Sequence, residues 1–428
     1  MHIKRETYLG EIVDRMHNGL IKVITGIRRC GKTYLLFEIF LQYLYENGVQ
    51  EEQIIKVSLD DEANTNLRDP SVLSDFLGSA LQGQKSQYYV LLDEIQYAIS
   101  DEEYKSKRPP RIYGVLNGLA RKSNVDVYVT GSNSHLLSTD VLTEFRGRGD
   151  EIRVRPLSFM EFMEGFNGDM YQGLAEYMVF GGMPLTLTMR TDAQKSRYLE
   201  RLFEETYLKD IIDRNRIRKT RELEELVDVI ASNIGSLTST GKIASTFKSK
   251  LRSNISHNTI AAYIDDLEEA FLIEEAKRYD IKGRKYIGGQ AKYYFEDVGL
   301  RNARLGFRQI ENNHIMENVI YNELRARGFS VDVGVVETRK GEGGSSQRRQ
   351  LEADFVANLG SARYYIQSAY RIPTVEKESQ EKESLRGIGD NFKKIVVVHD
   401  IVKPMRDESG IVTMSIYDFL TNESLLLL

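Results

Sequence analysis

Residues Gly26-Ile27-Arg28-Arg29-Cys30-Gly31-Lys32-Thr33 set two glycines, a lysine and a hydroxyl at the spacing G-x-x-x-x-G-K-[ST]. Each residue type has a chemical reason to stand there. Glycine lets the backbone curl until successive N–H groups face one anion. The Lys32 ammonium suits the outer phosphates of a nucleotide, and the Thr33 hydroxyl is a ligand type for Mg²⁺. A helix starting near Lys32 adds the partial positive charge of its N-terminus. The pattern predicts ATP contacts from Gly26, Ile27, Arg28, Arg29, Cys30, Gly31, Lys32, Thr33 and Tyr34.

A nucleotide site also needs carboxylates at the end of a buried strand. The run Tyr88-Tyr89-Val90-Leu91-Leu92 leads straight into Asp93-Glu94. Asp93 is placed to hold Mg²⁺ through its water shell, and Glu94 to orient or deprotonate an attacking water. Asp60-Asp61-Glu62 closes another strand, where a solvated strand end is the simpler reading. A third strand, Val125 to Thr130, ends in Gly131-Ser132-Asn133-Ser134. A polar side chain there can hold the water and sense a γ-phosphate, which Asn133 or Ser132 would do. Arg146 and Arg148 lie in Phe145-Arg146-Gly147-Arg148-Gly149. One of them reaching a γ-phosphate, in cis or from a neighbouring subunit, is weighed against a plain surface pair. The expected catalytic set is therefore Glu94, Asn133, Arg146 and Arg148, with Thr33 and Asp93 at the metal.

These residues require a scaffold that brings strand ends together. Ile21, Val23 and Ile24 precede the loop, and Leu35, Leu36, Phe37, Ile39, Phe40 and Leu44 follow it on a largely buried helix. Strands at Ile54 to Leu59 and Ile152 to Val154 alternate with helices at Val72 to Leu81 and Ile112 to Ala120. This α/β alternation predicts a P-loop NTPase core with a doubly wound, mostly parallel sheet. An amphipathic helix within residues 1–20 should pack beside the first strand. At 428 residues several domains are expected. The net charge of −5 places any nucleic-acid or membrane attraction in a local patch. One cysteine, Cys30, leaves no internal disulfide and suits a cytoplasmic setting; a redox switch in the loop is weighed against a variable loop position. No stretch is long enough to cross a bilayer, and the N-terminus lacks a signal-peptide core.

The segments GIRRCGKT, YYVLLDEIQ, TGSNS and FRGRGDEIRVRPLSFMEF resemble a family of prokaryotic AAA-type ATPases that carry a winged helix and a C-terminal domain of uncertain function. The resemblance spans nearly the whole chain. It implies an AAA-like core with Asn133 or Ser132 as sensor and Arg146 or Arg148 as the arginine element, and it leaves homo-oligomerisation open. The expected domains are 1–160 (ATPase), 161–215 (helical lid or connector interrupted at Gly181-Gly182-Met183-Pro184), 216–298 (winged helix-turn-helix) and 299–428 (restriction-endonuclease-like).

In the winged-helix segment three helices precede strands at Leu272 to Tyr279 and Lys285 to Phe295. The third helix carries Asp265, Asp266, Glu268 and Glu269, which phosphates would repel. The hairpin carries Lys277, Arg278, Lys282, Arg284, Lys285 and Lys292 against Asp280. That wing, 277–292, is the expected DNA contact, touching backbone without reading sequence; docking onto protein is the alternative. The last segment resembles a restriction-endonuclease-like fold, with Asp354 at the first acid position and Glu317 on a helix. Gln367 and Ala369 stand where that fold places its second acid and its lysine, so nuclease activity is not expected unless a lysine from elsewhere, such as Lys340, substitutes. The functional expectations are a Mg²⁺-dependent ATPase controlling DNA or protein engagement, a regulatory ATP switch with little turnover, or an ATP-dependent nuclease.

Overall fold

The run Ile21 to Ile24 has no exposed side, and in the computed structural model it is a strand buried along its whole length. The structure describes residues 3–81, 86–100, 102–103, 109–132, 149–251, 253, 255–340 and 347–422. The chain forms two compact units, Met1–Pro156 with Glu269–Phe271, and Leu157–Glu268 with Leu272–Leu428.

In the first unit, β1 (Ile21–Thr25), β2 (Ile54–Ser58), β3 (Tyr88–Asp93), β4 (Val125–Thr130) and β5 (Gly149–Arg153) form a sheet of order β2-β3-β4-β1-β5. Every pairing in it is parallel. β1, β3 and β4 are buried at every residue, as strands covered on both faces must be. Because β4 lies between β1 and β3, its last residues end beside both the glycine loop and Asp93. The loop leads into one helical run, α2, made of Lys32–Tyr34, a π-helical Leu35–Phe40 and Leu41–Glu46. The N-terminal helix α1 (Glu6–Asp14) packs against α2 and β5. Helices α3 (Pro70–Ala80) and α4 (Arg111–Leu119) pack against each other, with Leu73, Leu77, Ile112 and Leu116 in one core with β2, β3 and β4. A buried lysine on β1, Lys22, is tolerated because Asp126 on β4 pairs with it and accepts from Tyr128 Oη at 2.7 Å.

The second unit begins with helices Phe159–Gly165, Met170–Phe180 and Asp192–Arg201, the last continuing to Asn215. The helix ending at Phe180 stops where Gly181 adopts φ +70°. A Cβ on Gly181 would fall 2.2 Å from Asp297 Oδ1, so glycine is needed for space as well as for conformation. Then come α5 (Thr220–Ser232), α6 (Thr240–Thr246, continuing as a π-helical turn Phe247–Leu251) and α7 (His257–Glu269). The hairpin β6 (Ile273–Asp280) and β7 (Lys285–Phe295) follows, and then α8 (Asn312–Ala326).

The strands β8 (Ser330–Lys340), β9 (Gln347–Leu359), β10 (Ala362–Ala369), β11 (Lys393–Val398), β12 (Met405–Arg406) and β13 (Val412–Ser415) complete a mixed sheet of order β12-β13-β11-β10-β9-β8-β6-β7. The hairpin is thus continuous with the C-terminal strands. β6 runs parallel to β8 through Arg278–Val333, Tyr279–Gly334 and Asp280–Val335. Apolar burial explains this: Ala276 and Tyr294 from the hairpin share one core with Ile320, Tyr321 and Phe355.

Candidate functional site

The glycine loop is a closed turn shaped by left-handed residues. Gly26, Arg29 and Gly31 have φ of +137°, +61° and +104°. A Cβ on Gly26 would lie 2.0 Å from the Val154 carbonyl oxygen, so no other residue fits. Ile27 and Cys30 are wholly buried, which leaves only their backbone to face a ligand. The Cys30 thiol donates to the Val154 carbonyl at 3.3 Å. That burial makes it a packing residue and removes the redox switch considered from sequence. Arg5 supports the loop from below, its guanidinium donating to the carbonyls of Cys30 at 3.3 Å and Arg155 at 2.5 Å.

The Lys32 ammonium, 3% exposed, donates to the loop carbonyls of Gly26 at 2.9 Å and Ile27 at 3.1 Å. Tyr34 lies on the first turn of α2 with more than a third of its surface exposed.

Thr33 Oγ1 donates to Asp93 Oδ2 at 2.9 Å, and Thr130 Oγ1 donates to Asp93 Oδ1. Burial raises the Asp93 carboxyl above its ordinary range, Glu94 and Asp60 add to this, and the two threonine hydroxyls oppose it. Glu94 follows in a left-handed conformation, φ +54°, with its N–H donating to Thr130 Oγ1 at 2.9 Å. Its Oε2 accepts from Ser132 Oγ at 3.1 Å and from Gln96 Nε2. Ser132 in turn accepts from Gln96 Nε2 at 3.2 Å and from Arg28 Nε at 3.3 Å, joining the loop to the strand ends. Of the pair considered as sensor, Ser132 touches Glu94; Asn133 lies outside the described residues, as do Arg146 and Arg148. Asp61 caps a short helix by accepting from Ala63 N–H, which is the solvated strand-end role. Thr130 and Gln96 escaped the sequence reading. Thr130 was signalled by a hydroxyl ending an apolar strand, whereas Gln96 follows Glu94 with no spacing to mark it.

A second ionic cluster lies in the other unit. Lys292, 3% exposed on β7, is 2.8 Å from Glu317 Oε1 on α8, 2.8 Å from Glu352 Oε1 and 3.2 Å from Asp354 Oδ1 on β9. Tyr294 Oη donates to Glu317 Oε1 at 2.7 Å, and the Ser368 N–H donates to Asp354 Oδ2 at 2.9 Å. Burial works against the Lys292 charge, yet the carboxylates around it hold the ammonium well above the ordinary lysine range. Burial pushes Glu317 up to about 7, Lys292 opposing and Asp354 adding. Gln367 Oε1 accepts the Asp354 N–H at 3.3 Å, and Ala369 is buried on the same strand.

The lysine among these carboxylates comes from β7; the side chain of Lys340, considered for that place, lies outside the described residues. Lys292 is correspondingly no part of an exposed basic wing, whose remaining cations are Lys277, Arg278, Lys282, Arg284 and Lys285. The residue type alone did not reveal this, because an alternating hairpin strand shows a lysine without showing what lies opposite.

A five-stranded parallel sheet with a glycine loop after β1 and acids after β3 is the core of a P-loop nucleotide-binding protein. Residues 18–163 match the family described as AAA domain, and residues 171–311 match a domain of unknown function (DUF8612). The chain is 32% identical over 400 residues to an uncharacterised protein of Haemophilus influenzae, covering 92% of this chain and 93% of that one. It is 27% identical to an uncharacterised protein of Methanocaldococcus jannaschii, covering 86% of this chain and 79% of that one. Among solved structures, the Aeropyrum pernix ORC2 protein overlaps at a TM-score of 0.36 and 11% identity, covering 74% of this chain and 94% of that one. The chain belongs to the family of the Haemophilus protein, and its first unit is an AAA-type ATP-binding domain. Among the described residues no helix is long and apolar enough to cross a membrane.

Proposed function

We propose that the protein is a Mg²⁺-dependent ATPase whose nucleotide state sets how its second unit engages DNA or a partner protein. The observation that carries this reading is the pair of threonine hydroxyls, Thr33 and Thr130, holding both oxygens of Asp93 beside the glycine loop. The donor set fits a triphosphate with its cation. Backbone N–H groups of the loop would take the phosphates, Lys32 would exchange neutral carbonyl partners for anionic oxygens, and Thr33 with Asp93 would hold Mg²⁺. Bound there, Mg²⁺ supplies neutralisation of the phosphate charge. Glu94 accepts the proton of the attacking water as the water oxygen bonds the γ-phosphorus and the bond to the β-phosphate bridge oxygen breaks, releasing ADP and phosphate. Ser132 orients Glu94 and links it to Arg28. An arginine, Arg146 or Arg148, completes the charge balance, from this chain or from a second copy.

ATP turnover by purified Lys32→Ala and Glu94→Gln tests the assignment, and undiminished hydrolysis in either removes it. A slow regulatory switch is the second reading, favoured by one feature: Ser132 and Gln96 both donate to Glu94 Oε2, so that oxygen must give up a donor before it can take the proton of an attacking water. Turnover as a function of protein concentration separates the two and tests for an arginine in trans. The C-terminal strands are proposed as a binding scaffold rather than a nuclease, since the Lys292 ammonium fills the space among the carboxylates. Plasmid cleavage with Mg²⁺ or Mn²⁺ that vanishes in Asp354→Ala would reverse this.

A further inference from the structure

In a chain of net charge −5, residues 229–264 contain no Asp or Glu, while Lys242, Lys248, Lys250 and Arg252 fall within them. The described part of this interval forms an open cleft of about 870 Å³ between α6 with its π-helical turn and the start of α7. Ser239, Lys242, Ser245, Thr246, Lys248 and His257 line it. Lys242, Lys248 and His257 are exposed, and neither lysine meets a carboxylate among the described residues. Lys242 Nζ donates to the Leu237 carbonyl at 3.2 Å, a neutral partner that an anion can replace. The Ser245 and Thr246 hydroxyls donate to the carbonyls of Gly241 and Lys242, 3.0 and 3.1 Å away, one helical turn back. Those carbonyls already serve the helix ladder, so either hydroxyl can turn to a new acceptor without orphaning one. Ser256 caps α7 by accepting the Thr259 N–H at 3.1 Å, so the positive end of a 13-residue helix adjoins the cavity.

We infer that this cleft grips the phosphodiester backbone of duplex DNA without reading sequence. The inference deepens the DNA half of the function proposed above and rests on it. Lys242 and Lys248 are six positions apart, about 9 Å along a helix axis, which is too far for one phosphate and suits neighbouring phosphates of a strand. A lipid surface fits less well, because no large hydrophobic residue is exposed between 239 and 257 among the described residues. The acids of α7 set the pose. Asp265, Asp266 and Glu269 begin about 12 Å beyond His257 and repel phosphates, so contact is confined to the N-terminal end of the helix. Base reading along α7 is thereby excluded, leaving a salt-sensitive backbone grip.

The test is fluorescence anisotropy of a labelled random-sequence duplex with the full chain, from about 50 to about 200 mM salt. The wild type should bind with strong salt dependence. K242E/K248E should weaken binding by at least about tenfold, and K242Q/K248Q should reduce the logarithmic salt slope by about two. The wing variant K282E/R284E should change affinity by less than about twofold. Circular dichroism and ATP turnover of each variant establish that it is folded.

Absence of wild-type binding at low salt, unchanged binding by the cleft variants, or a loss that follows the wing variant overturns the inference. Single-stranded RNA binding tighter than duplex binding and lost in K242E/K248E also overturns it. Failure of the ATPase reading is distinguishable, because Lys32→Ala would then retain both turnover and duplex binding. Intact turnover without duplex binding sinks the cleft alone.

Discussion

Lys32 and Lys292 are each 3% exposed, yet their surroundings differ in a way that separates a site that can work from one that holds still. Lys32 donates to two backbone carbonyls, which are neutral and belong to a loop curled for an anion. A phosphate offers a stronger charge-assisted bond than either carbonyl, so the ammonium has somewhere to go. Lys292 is surrounded by Glu317, Glu352 and Asp354, and any incoming anion must compete with carboxylates already in contact. A divalent cation would in turn have to displace an ammonium that the same three groups hold. Equal burial therefore does not mean equal chemistry; the charge of the partners decides it.

The largest expected effects would exchange the roles of these two lysines if the comparison were wrong. Lys32→Ala should lower ATP turnover by about 100-fold or more while moving stability by no more than about 1 kcal/mol. Lys292→Ala should do the reverse. Removing the lysine from this buried cluster should destabilise by about 3–5 kcal/mol, measured by denaturant unfolding, with per-molecule turnover of the folded fraction near wild type. A Lys292→Ala protein of full stability would show that the cluster is no structural ion network.

Next in size is the loop glycine. Gly26→Ala should remove nucleotide binding in calorimetry, because its methyl group meets the Val154 carbonyl and the backbone must shift. Smaller is the effect of pH on the second unit. Burial raises Glu317 and Glu268 to about 7, and Asp297 to about 6. A carboxyl raised on folding binds its proton more tightly in the native state. Its contribution is fully present below the unfolded value and is lost as pH climbs through the folded one. Amide protection in β7, β9 and α8 should accordingly fall between about pH 5 and about pH 8. The penalty of Lys292→Ala should shrink toward pH 5, where Glu317 carries a proton. Smallest is Ser132→Ala, which should slow turnover by about tenfold with little change in nucleotide affinity, since it frees the Glu94 and Arg28 side chains but leaves the loop backbone and Lys32 in place.

The first unit was largely legible in the sequence. Strands at 21–25, 54–58, 88–93 and 125–130 fall on the apolar runs, and the sheet they form is parallel throughout. Local chemistry suffices there, because a phosphate loop is built from consecutive residues and an apolar run needs only cover on both faces. The hairpin strands 273–280 and 285–295 were also expected near their bounds. Their membership of the C-terminal sheet was not, because β6 meets β8 only after the intervening chain has folded back. β12 and β13 are too short for a periodic signal, so they passed unnoticed.

The sequence by itself determined that a glycine loop, a following helix and a strand ending in Asp93-Glu94 exist, since these depend on neighbours within a few positions. Only the tertiary structure decided that Thr130 shares Asp93 with Thr33, that Ser132 reaches Glu94, and that Lys292 is spent on three carboxylates instead of facing solvent. The physical reason is range. Backbone conformation is set by local sterics and periodicity, whereas the meaning of a charge depends on which groups the fold carries to within about 3 Å of it.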